Sequence, residues 1–175
     1  MRPVRYNVAA SLDGYIADAN GQYDWIPPEP AIDFGALFRD VDTVLLGRHS
    51  YELVLRDPAA ATWPSGARVV VFSRTLRQED HPQVTITADP PADVAATLRA
   101  ATGGDIWLYG GAALFGTLLA ARQVDRVEVT VVPILLGGGV PLLPASHIRT
   151  PLILERFERF PSGQVSLHYA VGAIR

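Results

Sequence analysis

Short, wholly apolar runs recur along the chain, each stopping at glycine or serine. Thr43-Val44-Leu45-Leu46 stops at Gly47, Val69-Val70-Val71-Phe72 at Ser73-Arg74, and Ile106-Trp107-Leu108-Tyr109 at Gly110-Gly111. Strands that are apolar on both faces belong inside a parallel sheet covered by helices on each side. Helices are predicted after Gly47, from about Ala92 to Ala101, and from Ala112 to about Ala121. Pro3 to Ala10 predicts an opening strand that ends in the turn sequence Ser11-Leu12-Asp13-Gly14. Val124 to Val132 predicts another strand, with Val127, Val129 and Val131 on one side. Leu152 to Phe160 and Val165 to Ile174, joined across Ser162-Gly163, predict a closing hairpin. Ala19 to Pro30 contains Pro27-Pro28-Glu29-Pro30 and predicts a long loop, after which Asp33 caps a short helix through about Arg39. The expectation is one α/β domain over residues 1–175. Its architecture would be three-layer α/β/α, with a mostly parallel mixed sheet ending in antiparallel C-terminal strands.

Composition narrows the chemistry. The chain has 175 residues, 49% hydrophobic and 19% charged, enough to bury a sizeable core and too apolar for disorder. A net charge of −3 argues against a nucleic-acid footprint or an anionic membrane surface. There is no cysteine, which excludes disulfides, thiolate nucleophiles, iron–sulfur clusters and thiolate zinc sites. His49, His81, His147 and His168 lie without ligand spacing, so no metal site is expected. No apolar signal core opens the chain and no run approaches 18 apolar residues, so the expectation is a cytoplasmic protein.

Three strand ends carry candidate chemistry, because ligands of open α/β sheets gather at the carboxyl ends of strands. Tyr109-Gly110-Gly111 precedes the helix that opens at Ala112. Glycines there admit a pyrophosphate to the backbone and to the helix N-terminus, or simply make a tight turn. Gly47-Arg48-His49-Ser50 opens another helix with a permanent cation and a hydroxyl; a solvated arginine at an ordinary helix start is the plain alternative. Ser73-Arg74-Thr75 offers one arginine and two hydroxyls, with no carboxylate before Glu79. If a dinucleotide binds there, those residue types favour a 2′-phosphate; otherwise this is a surface loop.

Four blocks, taken together, resemble the dihydrofolate reductase superfamily. They are most similar to the reductase domain of the bifunctional riboflavin-biosynthesis deaminase–reductase. The blocks are Ala9-Ala10-Ser11-Leu12-Asp13-Gly14-Tyr15-Ile16-Ala17, Gly47-Arg48-His49-Ser50-Tyr51-Glu52, Tyr109-Gly110-Gly111, and Val132-Pro133-Ile134-Leu135-Leu136-Gly137-Gly138-Gly139-Val140-Pro141-Leu142. The resemblance implies NADPH across the strand ends, a small-molecule substrate and commonly a homodimer. It assigns Gly47, Arg48, His49 and Ser50 to the cofactor phosphates, and Ser73 and Arg74 to the adenosine 2′-phosphate. Tyr109, Gly110, Gly111 and Ala112 fall at the pyrophosphate and nicotinamide side, and Ala10 and Ile16 at the nicotinamide. Asp18 to Trp25 corresponds to a loop that closes over the nicotinamide.

On the substrate side the resemblance points to Ala9, Asp13, Trp25, Asp33 and Thr130, with Asp33 as the catalytic acid. Asp33 reads equally as a helix cap, Asp13 as a turn-shaping residue and Trp25 as packing. Arg5, Arg56 and Arg149 are the basic candidates for a ribosyl phosphate, or else surface charges. The implied reaction is hydride transfer to a C=N or C=O group, as in 5-amino-6-(5-phosphoribosylamino)uracil reductase. Dihydrofolate reduction, another small-molecule reduction and a non-catalytic NADPH-binding protein are the alternatives. The zinc deaminase elements of the bifunctional protein are missing from these residues, which implies a stand-alone reductase domain.

Overall fold

The computed structural model describes residues 1–146 and 149–172; His147 and the predicted strand end through Ile174 lie outside the described residues. In chain order the elements are β1 (Val4–Ser11), β2 (Tyr15–Ala17), α1 (Phe34–Leu37), β3 (Val41–Gly47), α2 (Arg48–Arg56), β4 (Arg68–Phe72), β5 (Thr85–Thr87) and α3 (Pro91–Ala100). They continue with β6 (Asp105–Gly110), α4 (Ala112–Ala120), β7 (Arg126–Val132), β8 (Val140–Pro141), β9 (Leu152–Arg159) and β10 (Val165–Val171). Eight strands form one sheet in the order β5-β4-β3-β6-β1-β7-β10-β9, while β2 and β8 make a separate pair. The six strands from β5 to β7 are parallel, and β10 and β9 run antiparallel to them. The expected mixed sheet with an antiparallel C-terminal hairpin is therefore present.

The apolar runs lie where two cores enclose them. Val44, Leu45 and Leu46 are wholly buried, because successive side chains point to opposite faces and both faces are covered. One face packs Val4, Tyr6, Leu45, Val70, Ile106, Leu108, Val127 and Val129 against α3 and α4. The other packs Val44, Leu46, Val69, Val71 and Trp107 against Phe38, which caps α1, and Tyr51 and Val54 of α2. Tyr51 and Val54 stand three apart, so a single stripe of α2 meets the sheet. Strands β10 and β9 extend the sheet past β7. On the edge strand β9, Leu152, Ile153, Leu154 and Phe157 are all exposed.

Three short strands escape the hydrophobic pattern. Thr85–Thr87, Tyr15–Ala17 and Val140–Pro141 have two or three residues each, too few for an alternation to register. Partners supplied by the fold make them strands: β4 for the first, and each other for the last two. No helix among the described residues is long and apolar enough to cross a membrane.

Candidate functional site

The carboxyl ends of β3 and β6 lie side by side, with Leu46 in register with Gly110. Each strand passes directly into a helix through a glycine. Gly47 is the N-cap of α2 and Gly111 that of α4, and neither helix start receives a side-chain hydrogen bond. The first N–H groups of both helices are thus left without an intrahelical or capping partner, and both positive dipole ends face the same edge of the sheet. Gly111 permits the closeness: a Cβ there would lie 3.3 Å from Ser50 Oγ, whereas one on Gly47 would make only ordinary contacts, the nearest at 3.6 Å from the Gly111 nitrogen. Ala112 is buried at the first position of α4, and the Gly110–Gly111 peptide is cis.

Around this pair, Arg48 donates to Glu52 at 3.1 Å and stands 3.0 Å from His49 Nε2, leaving His49 exposed. Strand β4 adjoins β3, Phe72 pairing with Gly47, so Ser73 and Arg74 lie one strand farther along the same edge. Ser73 is buried, and its hydroxyl accepts the N–H groups of Thr75 and Leu76 at 3.2 and 3.0 Å. Its side chain therefore builds the loop, while Arg74 is exposed, with no hydrogen-bond or ion-pair partner among the described residues. Tyr109 turns away from the glycines: its hydroxyl donates to the Ala60 carbonyl at 3.1 Å. Burial, with Tyr23 and Asp57 adding negative charge, pushes the Tyr109 pKa up to about 12, so it stays a neutral donor.

The turn after β1 and the glycine run after β7 form one unit. Asp13 accepts from Ser11 Oγ at 2.6 Å and from the N–H groups of Leu136 and Gly137 at 3.1 and 2.7 Å. These donors lower its pKa, the Ser11 hydroxyl contributing most. Leu12 N–H reaches the Ile134 carbonyl and Leu142 N–H the Gly14 carbonyl. Gly139, at φ +142°, passes so close to β2 that a Cβ would lie 2.1 Å from the Ala17 oxygen, so only glycine fits. This unit holds Ile16 of β2 half-buried beside the end of β1, where Ala10 is buried.

The substrate-side candidates separate. Ala9 and Thr130 sit opposite each other on β1 and β7. Asp33 is exposed and caps α1, accepting from Ala36 N–H at 2.9 Å, and no hydrogen bond joins it to Thr130. Trp25 is half-buried and donates to the Gln22 carbonyl at 3.1 Å, within a loop that Tyr23 fastens to Asp57. Arg5 is not a surface charge. It grips Glu128 through Nε at 2.9 Å and Nη2 at 3.0 Å, and reaches Asp105 at 3.1 Å. Asn7 adds a third donor to Glu128 at 2.9 Å. Burial alone would raise the Glu128 pKa, but His168, Arg5 and Asn7 outweigh it and hold the group at about 2. Sequence reasoning passed over Glu128, Ser166 and His168. The available signal was a glutamate among valines in Val127-Glu128-Val129-Thr130-Val131, a charge pointing away from the valine core.

Comparison with known proteins agrees with this geometry. Residues 2–166 match the family model of the RibD C-terminal domain. A Bacillus subtilis protein described as uncharacterised, YyaP, is 32% identical over 178 residues, covering 96% of this chain and 94% of its own. Mycobacterium tuberculosis RibD, a riboflavin biosynthesis protein, is 32% identical over 152 residues, covering 78% of this chain and only 44% of its own. Among solved structures, a Shewanella sp. PV-4 protein provisionally assigned to riboflavin biosynthesis superposes with a TM-score of 0.78 at 28% identity. The match spans 99% of this chain and 100% of that one.

Proposed function

This chain belongs to the RibD C-terminal domain family, a dihydrofolate reductase-like α/β fold, and on that premise we propose that it is an NADPH-dependent reductase of the riboflavin-biosynthesis type. The observation that carries the reading is the pair of uncapped helix N-termini at the adjoining ends of β3 and β6. Free N–H groups, glycine backbones without Cβ atoms and two converging dipoles suit a pyrophosphate. The residues present fit the cofactor at its other end too. Among the described residues Arg74 is unpaired, no carboxylate follows it before Glu79, and a 2′-phosphate calls for such a cation.

In this reading Gly47, Arg48, His49, Ser50, Gly111 and Ala112 hold the pyrophosphate and neighbouring phosphates, and Ser73 shapes the loop that presents Arg74. Gly110 and the backbone of Tyr109 bound the nicotinamide side, with Ala10 and Ile16 against the ring and the Asp18–Trp25 loop over it. The cofactor supplies hydride; the chain binds, orients and excludes water. The acceptor is a C=N or C=O group of a small heterocyclic or ribosylamino-pyrimidine molecule lying over Ala9 and Thr130. Asp13 supports its pocket through the turn, with Trp25 at the wall and Asp33 as the nearest acid.

One observation favours a second substrate class. Arg5, a candidate for a ribosyl phosphate, is held by Glu128 and Asp105, which favours a heterocycle or carbonyl compound without phosphate. The exposed apolar edge of β9 supports a homodimer.

The test begins with NADPH and NADH titrated against thermal unfolding, because a ligand that binds only the folded state must raise stability. NADPH should stabilise far more than NADH, and no shift with either would end the cofactor reading. NADPH oxidation is then followed with 5-amino-6-(5-phosphoribosylamino)uracil and with dihydrofolate. Oxidation with the first alone supports the riboflavin-type substrate, and with the second alone the dihydrofolate type. Binding without turnover on any C=N or C=O compound would make the chain a non-catalytic NADPH binder.

A further inference from the structure

On the sheet face that carries α1 and α2, polar side chains stand in register across four strands. One rung is Asn7, Glu128, His168 and Arg156; the next, two residues nearer the carboxyl ends of β1 and β7, is Ala9, Thr130, Ser166 and Glu158. A chain of contacts climbs from the deeper rung to the upper one. His168 Nδ1 lies 3.9 Å from Glu128 Oε1, an ion-pair distance, and its Nε2 lies 3.1 Å from Ser166 Oγ. Ser166 Oγ in turn accepts from Thr130 Oγ1 at 3.5 Å.

A buried network kept only for stability would end in satisfied groups. Here the lower end is satisfied without the histidine, since Arg5 and Asn7 already give Glu128 three hydrogen bonds. At the upper end, Thr130 is half-buried opposite the small side chain of Ala9, and its Oγ1 has no hydrogen-bond partner other than Ser166 among the described residues. The chain of contacts is thus fixed at its base and ends at a half-buried hydroxyl, where the reductase reading puts the substrate.

We propose that His168 supplies the proton of the reduction, passing it through the hydroxyls of Ser166 and Thr130 to the heteroatom of a C=N or C=O group held over Ala9. This rests on the reductase reading. As an imidazolium, His168 keeps Nδ1–H toward Glu128 and directs Nε2–H at Ser166. The Nε2–H bond breaks as Ser166 Oγ takes that proton. The Thr130 hydroxyl, which donates to Ser166 in the free protein, turns toward the substrate; Ser166 then hands its own proton to Thr130, and Thr130 hands its own to the substrate nitrogen or oxygen, where the new bond forms. The electron pair for the neighbouring carbon comes from a dihydronicotinamide. His168 is left neutral and regains a proton from water, its side chain being 18% exposed. Glu128 stays ionised throughout, so the mobile proton belongs to the imidazole.

The charged groups around His168 are few. Glu128 faces it from β7 and Arg156 from β9, the latter paired with Glu158. Arg5 of β1 lies beyond Glu128, and Arg126 of β7 pairs with Glu155. His168 acts through other residues, so its test needs readings that a structural role would not move.

Nitrogen NMR of the imidazole in nucleotide-free protein reads the path directly. Ser166→Ala should move the Nε2 resonance and leave Nδ1 nearly unchanged, and Glu128→Gln should do the reverse. An Nε2 signal indifferent to Ser166→Ala overturns the path, whether or not the protein reduces anything. With 5-amino-6-(5-phosphoribosylamino)uracil or dihydrofolate, single-turnover NADPH oxidation by the wild type should fall with rising pH along the His168 titration that NMR records. His168→Gln should slow that step about 100-fold at pH 7 and flatten the profile. Ser166→Ala, which alters packing less, should flatten it as well. Variant profiles parallel to the wild type would refute the proposal while leaving the reductase reading intact. Absence of turnover in every protein, wild type included, with these two compounds and with a panel of other small C=N and C=O compounds removes the reductase reading and the proton path with it.

Discussion

Arg74 and Glu128 show how differently two charged residues act in this fold. Arg74 is exposed and has no partner among the described residues, so in the proposed reading its contribution awaits a ligand. Arg74→Glu should weaken NADPH much more than NADH while leaving thermal unfolding of the free protein within about 0.5 kcal/mol of wild type, as surface changes usually do. Equal loss for both nucleotides, measured by calorimetry, would refute a 2′-phosphate role. Glu128 contributes in the free protein, because its side chain is 3% exposed and its pKa is held at about 2 rather than at an ordinary 4.5. A depressed carboxylate stabilises the fold above its ordinary pKa, and that stabilisation disappears as pH falls from about 4.5 toward 2. The gap corresponds to something on the order of 3 kcal/mol. Denaturant titrations across this range should show a steep acid loss in the wild type and a flatter one in Glu128→Gln. Above pH 5, Glu128→Gln should itself be less stable by about 1–3 kcal/mol, because Arg5 keeps Asp105 and loses only its charged bidentate partner. Identical acid limbs would mean that the ion pair does not set them.

At the scale of elements, strands are joined to helices through glycine where most helices would use a capping side chain. Gly47 has φ −76° and ψ 160°, a backbone open to any residue, and a Cβ there meets only ordinary contacts of 3.6–3.9 Å. Gly47→Asp should therefore cap α2 and raise or preserve stability by a few tenths of a kcal/mol. The same carboxylate would stand where a pyrophosphate is proposed, so NADPH affinity should drop at least tenfold. Unfolding and nucleotide titration on one sample check both halves, and undiminished NADPH binding would count against the paired helix ends as the phosphate site. Much of this was legible beforehand. Apolar runs stopping at Gly47, Ser73 and Gly110 marked three strand ends, because burial on both faces leaves an uninterrupted apolar signature. Strands β2, β5 and β8 were not legible, since segments this short take their conformation from partners remote in sequence. Asp33 caps α1, as its position before the helix allowed; the competing role as an acid depends on what lies across the pocket.

For the whole molecule, the two edges of the sheet differ. Strand β5 is a short edge, whereas β9 is eight residues long and presents Ile153 at 61% and Phe157 at 67% exposure. A long apolar edge invites another strand. Antiparallel pairing of two copies about an axis between Glu155 and Arg156 would set opposite charges face to face, as a two-fold interface requires. Light scattering at micromolar concentration should give a dimer, and Phe157→Asp should convert it to a monomer with little change in the stability of the fold. A monomeric wild type at these concentrations would rule the edge out as an interface.

The amino-acid sequence by itself determined the alternation of strands and helices, the parallel core and the positions of the glycine-rich strand ends. Each of these depends on residues close together in the chain, through periodicity, capping and conformational freedom. Only the tertiary structure decided that Asp13 and Gly137 belong to one turn, 124 residues apart, and that Arg5, Glu128 and His168 meet across three strands. Register between strands distant in sequence creates those contacts. A strand's own pattern shows which face a residue occupies and leaves unsaid which neighbour it will face.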